Sequence, residues 1–147
     1  MSTAIPVPFP DSMEIIYRLD ETQIRQLHRL YQQEWWCKGR TLDQTRISVE
    51  RSSLSIGLID QQGGLKGYAR VLTDYVFKAL IFDVIVASES RGQGLGDQLM
   101  QLIRDHPDLQ RVKHFELYCR PEMFPFYQRH GFSSDVGETR LLRLQAR

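Results

Sequence analysis

Arg91-Gly92-Gln93-Gly94-Leu95-Gly96 sets three glycines alternately with other residues, directly after the apolar run ALIFDVIV and directly before DQLMQLIRDHP. Glycine weakens a helix interior, so this placement implies a backbone that must turn sharply or be approached closely. A helix N-terminus presents unpaired N–H groups and the positive end of the helix dipole. Glycines let an anion reach those groups. The stretch therefore reads as a phosphate cradle between a buried strand and a helix. The competing reading is a tight turn whose small residues serve helix–strand packing. Two better-known cradles do not fit. A Walker loop needs Lys-Ser/Thr after its last glycine, and Asp97-Gln98 stands there; a dinucleotide fingerprint needs GxGxxG, and Gly92, Gly94 and Gly96 alternate.

Other residues carry chemistry singly. Asp83 lies inside IFDVIV, where a buried charge is costly unless paired. It reads either as a group that binds or deprotonates an amine, or as a structural aspartate paired with a nearby arginine or N–H. Glu34, Trp35 and Trp36 offer one carboxylate and two aromatic faces suited to a cation; either tryptophan alone reads equally as an anchor. Tyr127 stands among Phe124, Phe126 and Phe132 as a core aromatic or a positioned acid. Cys119 has no neighbouring His–Asp pattern and reads as core. The histidines at 28, 106, 114 and 130 show no metal-ligand spacing, and no metal is expected.

These residues need elements to hold them. Residues 1–12, with prolines at 6, 8 and 10, read as a flexible arm, and residues 13–147 as one domain. MEIIYRL reads as a strand. Asp20 with Gln23, then Thr41 with Gln44, mark two helix starts, the second helix running to about Ser52. SLSIGLID and LKGYARVLTDY read as strands joined by the turn QQGG, and KALIFDVIV as the central strand. A helix follows with Leu95, Leu99, Leu102 and Ile103 on one face, stopped at Pro107. Then come the strand KHFELYC, a short helix ending at Gly131, and a closing strand TRLLRLQ. The order predicts an α/β fold: a mixed sheet with helices on both faces, and parallel strands over the Ala79–Cys119 unit. The closing strand either completes its own sheet or pairs across a homodimer.

Bulk properties exclude some classes. The chain has 147 residues, a formal net charge of +1 and 25% charged residues, which gives no basic face for nucleic acid. No apolar stretch is long enough for a membrane span. Two cysteines far apart argue against a disulfide framework and fit a reducing, cytoplasmic setting.

Taken together, the residues resemble the GNAT superfamily of N-acetyltransferases. Its acetyl-CoA signature, Gln/Arg-x-x-Gly-x-Gly/Ala after a central strand, is matched by Arg91, Gly94 and Gly96. Tyr127, Gly131 and Phe132 match its tyrosine helix, and Cys119 to Phe132 is similar to the arylalkylamine N-acetyltransferases. The resemblance implies that Val84, Ile85 and Val86 hold the pantetheine arm of acetyl-CoA. Backbone N–H groups over Arg91, Gly92, Gln93, Gly94, Leu95 and Gly96 would hold the pyrophosphate. The parallel strands would splay into a slot, a β-strand N–H would polarise the acetyl carbonyl, and Tyr127 would protonate the thiolate. Glu34, Trp35 and Trp36 fall where the family builds its acceptor site. One departure is Arg120, where several members have asparagine; another is Leu80, where the histone-acetylating branch has its glutamate. Asp83 is the candidate base in its stead. The implied activity is direct acetyl transfer to a primary amine, with a small molecule as acceptor; a protein lysine or N-terminal amine, or a non-catalytic acyl-CoA-binding module, are the alternatives.

Overall fold

The computed structural model describes residues 13–146, and the expected arm over residues 1–12 lies outside them. Five strands form one sheet in chain order: β1 (Glu14–Ile16), β2 (Leu54–Ile59), β3 (Leu65–Thr73), β4 (Lys78–Val86) and β5 (His114–Leu117). Neighbours from β1 to β4 run antiparallel, and β4 and β5 run parallel. The parallel pair follows from the crossover through α3 (Leu95–Asp105).

Helix α1 (Glu21–Tyr31) begins where the sequence places it. Asp20 Oδ1 accepts from the Gln23 N–H, and Gln23 Oε1 accepts from the Asp20 N–H, both at 2.9 Å. Thr41 and Gln44 repeat this box at the start of α2 (Leu42–Arg51). The sheet is covered on both faces. Ile24, Leu27, Leu30 and Tyr31 of α1 and Val49 of α2 pack with Ile59, Leu65, Tyr68 and Ile85. Leu95, Leu99, Met100 and Ile103 of α3 pack with Ile56, Leu58, Val71 and Ile81 on the other face. Alternate strand residues thus serve alternate layers.

Two irregularities shape the sheet. Tyr68 pairs with Ile85 but Arg70 pairs with Phe82, so Ala69 faces both Asp83 and Val84. This is a β-bulge, and Asp83 sits in it at φ 59°. The β4–β5 ladder runs only from Lys78↔His114 to Ile81↔Leu117, whereas β4 stays on β3 as far as Val86↔Gly67. From Phe82 onward, β4 therefore has a free edge where β5 has peeled away.

The expected closing strand is corrected. Residues 139–146 join no strand, and Leu142 and Leu144 are 93% and 94% exposed. Alternating apolar residues make a segment fit for a strand, but the strand exists only when a partner takes its N–H and C=O groups. β5 is also shorter than KHFELYC suggests, ending at Leu117.

Leu99 is fully buried and lies against Gly67 of β3, where a Cβ would stand 3.5 Å from its Cδ1. Leu99→Ala should destabilise the fold by about 3 kcal/mol, through lost transfer energy and the cavity left behind. A urea unfolding midpoint unchanged from wild type would show that α3 does not anchor the sheet.

Candidate active site

The bulge is built around Asp83, whose side chain is 4% exposed. Arg40 grips both oxygens, Nη1 to Oδ2 at 2.7 Å and Nη2 to Oδ1 at 3.1 Å. Arg70 Nε donates to Oδ2 at 2.6 Å, and the Tyr31 hydroxyl donates to the same oxygen at 2.9 Å. Burial raises the Asp83 pKa, but the two guanidiniums outweigh it and hold the carboxyl below the usual aspartate range. Burial and the neighbouring carboxylate push the Tyr31 phenol well up, so it stays a donor. A left-handed φ is costly for a residue with a Cβ, and these four bonds hold it there. Of the two readings of Asp83, the geometry matches the structural one: its oxygens are engaged and its proton affinity is low.

The glycine stretch forms the junction of β4 and α3. A single 3-10 turn, Ser88–Ser90, leads into it. Gly92 and Gly94 take φ 81° and 82°, and open space lies where a Cβ would project from either. Gly94 is the N-cap of α3 and supplies no side-chain cap, so the first N–H groups of the helix stay available. Gly96 answers to a different demand: a Cβ there would stand 3.2 Å from Phe126 Cζ. The alternation thus combines two left-handed turns with one close approach. A cavity of about 250 Å³ lies over the junction, with Val86, Arg91, Gly92, Gly94 and Arg129 in its wall. Open space, free helix N–H groups and two arginines fit a pyrophosphate.

Phe126 belongs to α4 (Phe124–Gln128), which carries Tyr127. The Gly131 N–H donates to the Gln128 carbonyl at 3.0 Å and the Phe132 N–H to the Tyr127 carbonyl at 3.2 Å. Gly131, at φ 91°, closes this turn as expected from the sequence. Asp97 of α3 binds Arg129 at 2.8 Å and His130 at 2.7 Å, pinning α4 to the cradle's helix. The Tyr127 ring stands edge-on to Phe126, 4.9 Å between centroids, and to Phe132 at 6.0 Å. Burial, with Cys119 nearby, pushes its phenol up to about 12, so it holds its proton at neutral pH. Tyr127 and Cys119 face one cavity of about 770 Å³. Cys119 and Cys37 are both free thiols.

The residues expected at an acceptor site have partners that sequence reading did not assign. Glu34 is bound by Arg91, which joins a predicted substrate residue to a predicted cofactor residue. Trp35 is 68% exposed and has the Arg120 guanidinium 4.9 Å from its ring centroid. Trp36 has Arg40 at 5.7 Å, and Phe82 meets Tyr118 edge-on at 5.8 Å. Arg120 thus links the β5 exit to the loop after α1. Arg40, Arg70 and Tyr31 went unread as site residues. One signal existed: strand alternation places Arg70 on the same face of β3 as the buried Tyr68.

A forked parallel strand pair, a glycine-capped helix at the fork, and a tyrosine helix pinned to it agree with what comparison with known proteins finds. Residues 36–141 match the acetyltransferase (GNAT) domain family. The chain belongs to the GNAT acetyltransferases. An uncharacterized N-acetyltransferase, ycf52, of Porphyra purpurea is 31% identical over 113 residues, 75% of this chain and 64% of that protein. The chain therefore spans less than two thirds of the length of that relative. A crystal structure from Xanthomonas campestris pv. campestris, an acetyltransferase assigned to the GNAT family, superposes with a TM-score of 0.77 at 29% identity, over 90% of this chain and 94% of that one. The CoA complex of the aminoglycoside N-acetyltransferase AAC(6')-Iy shares the fold at a TM-score of 0.65, covering 94% of this chain and 98% of that one at 15% identity. In this GNAT chain, among the described residues, no group of His, Cys, Asp or Glu is arranged to hold a metal ion. Nor, among the described residues, is any helix long and apolar enough to cross a membrane.

Asp83→Asn should cost about 3 kcal/mol at pH 7, since it leaves two guanidiniums without their charge partner. The native pKa is lowered, so the stabilisation is full above the unfolded value of ~3.9 and is lost as pH falls through the native one. The gap between wild type and variant in urea midpoint should therefore narrow below pH ~4. A gap that stays constant from pH 7 to pH 3 would contradict the pairing.

Proposed function

We propose that this chain, as a single domain over residues 13–147, transfers the acetyl group of acetyl-CoA directly to a primary amine. The observation that carries the proposal is the fork itself: β4 has a free edge from Phe82 onward, a glycine-capped helix N-terminus follows at its end, and the tyrosine helix is pinned to that helix. Acetyl-CoA supplies the activated acetyl thioester. The Arg91–Gly96 backbone and the start of α3 bind its pyrophosphate. Val84, Ile85 and Val86, on the free edge of β4, take the pantetheine arm as a further strand would be taken. A backbone N–H on that edge points at the carbonyl oxygen and stabilises negative charge developing there. Tyr127 holds a proton for the departing thiolate sulfur.

Asp83 acts in this scheme as a positioning residue. With two arginines and a phenol on it, it keeps the bulge open and is a weak proton acceptor, and the amine loses its proton to solvent. The acceptor enters past Trp35, Trp36 and Glu34. Arginines already lie by those indoles and on that carboxylate, which favours a small amine with a flat apolar body over a polycation. The free thiols suit a reducing compartment such as the cytoplasm.

Calorimetric titration should show one-to-one binding of acetyl-CoA and negligible binding of ATP; no acetyl-CoA binding would remove the assignment. Gly94→Val, forced into a left-handed φ at the helix cap, should weaken that binding strongly while the fold persists. Tyr127→Phe should leave acetyl-CoA affinity unchanged and lower kcat for CoA release by about 10²-fold with an amine panel. Undiminished turnover in that variant would take Tyr127 out of the chemistry.

A further inference from the structure

Cations surround the candidate site, and they are arginines. Of the chain's 19 basic residues, 15 are Arg and 4 are Lys. Arg40, Arg70, Arg91, Arg120 and Arg129 stand at the bulge, the cradle and the β5 exit, each against a carboxylate or an aromatic ring. A guanidinium stays charged and is no nucleophile, whereas an ammonium that loses its proton becomes one. Three of the lysines are engaged elsewhere. Lys66 Nζ donates to Glu89 at 2.7 Å and Lys78 Nζ to Glu116 at 2.8 Å, and Lys113 Nζ stands 5.6 Å from the Phe77 ring centroid. Lys78 and Lys113 also lie where β4 and β5 begin, whereas the cradle follows the end of β4. Lys38 is exposed, and among the described residues no carboxylate, carbonyl or ring holds its ammonium.

Lys38 belongs to the loop of residues 32–40, whose side chains reach every part of the fork. Glu34 reaches Arg91 in the cradle, Trp35 reaches Arg120 beyond β5, and Arg40 reaches Asp83 in the bulge. Buried Cys37 donates its thiol to the Tyr31 carbonyl at 3.2 Å, and the Arg40 N–H closes a turn on the Cys37 carbonyl at 3.0 Å. Lys38 and Gly39 form the tip of that turn, with open space where a Cβ would project from Gly39. Two residues separate Lys38 from Arg40, at most ~7 Å of chain. One short turn and one flexible four-carbon stem thus tether the ε-amine to the bulge where the free β4 edge begins.

We propose that Lys38 is a self-acetylation site, modified in the slot of its own chain; this rests on the acetyl-transfer reading of that slot. The tether replaces diffusion from bulk by a high effective concentration of amine. The ammonium first gives a proton to solvent. The neutral ε-amine attacks the carbonyl carbon of the acetyl thioester, so that the C–N bond forms and the C–S bond breaks. The departing thiolate takes the Tyr127 proton, and the phenol regains one from the acylated nitrogen through solvent. The products are acetyl-lysine, CoA thiol and a proton. The modification removes the ammonium's charge.

The test is incubation of the full chain with acetyl-CoA, followed by intact-mass and peptide mass spectrometry. The chain should gain a single acetyl group, on Lys38, with a half-time independent of protein concentration. Lys66, Lys78 and Lys113 should stay unmodified. Lys38→Arg should gain none and keep its rate of CoA release with an amine panel, and Gly94→Val, weakened in acetyl-CoA binding, should lose the reaction. Acetyl groups spread evenly over the lysines, or a Lys38 rate unchanged in Gly94→Val, would reveal a solution reaction of the thioester and overturn the proposal. A rate that rises with protein concentration would overturn it too, since Lys38 would then enter the slot of another copy. Unmodified Lys38 in a chain that acetylates added amines would overturn this proposal alone. Absence of both reactions would overturn the acetyl-transfer reading with it.

Discussion

The fork between β4 and β5 depends on one buried carboxylate. Asp83 occupies a backbone conformation that residues with a Cβ avoid, and it does so at the point where β4 carries one residue more than β3. Ordinarily glycine fills that place in a bulge of this kind. Here aspartate fills it because its side chain returns more than the strain removes: two guanidiniums and a phenol converge on it in a nearly dry site. The clamp draws on α1, the loop after it, β3 and β4. It therefore ties one helical layer to the sheet at the position where the sheet must part. Loss of the charge would release the bulge and, with it, the free edge that a ligand is proposed to pair with.

The far side of the fork is held by different means. Gly96 lets Phe126 approach the first turn of α3, and Asp97 in the same turn binds Arg129 and His130. The cradle's helix and the tyrosine helix are therefore joined by packing and by two side-chain hydrogen bonds. Burial raises the Tyr127 phenol further above neutral pH, and Phe126 and Phe132 pack edge-on around the ring. On the acceptor side, arginines occupy the aromatic faces and the one carboxylate that composition alone would reserve for a cation.

Much of this was legible without coordinates, because it is encoded locally. Capping boxes at Asp20 and Thr41, the periodic leucines of α3, the glycine stop at residue 131 and the turn glycines at 92 and 94 are short-range patterns. Their physical meaning does not depend on distant residues. The resemblance to GNAT enzymes drew on the same short stretches. The closing strand shows the opposite case. TRLLRLQ satisfies every local rule for a strand, but a strand is a relation between two segments, and among the described residues none pairs with it.

By itself, the sequence determined the layered α/β class, the parallel crossover and the strand–glycine–helix junction, since hydrophobic period and glycine placement act over a turn or two. Only the tertiary structure decided what Asp83 binds. Its partners lie 13 to 52 residues away along the chain, and charge pairing is set by distance in space and by exclusion of water. The same holds for Gly96, whose need for a missing Cβ appears only once Phe126 is seen against it, and for Glu34, whose carboxylate is taken by an arginine 57 residues on.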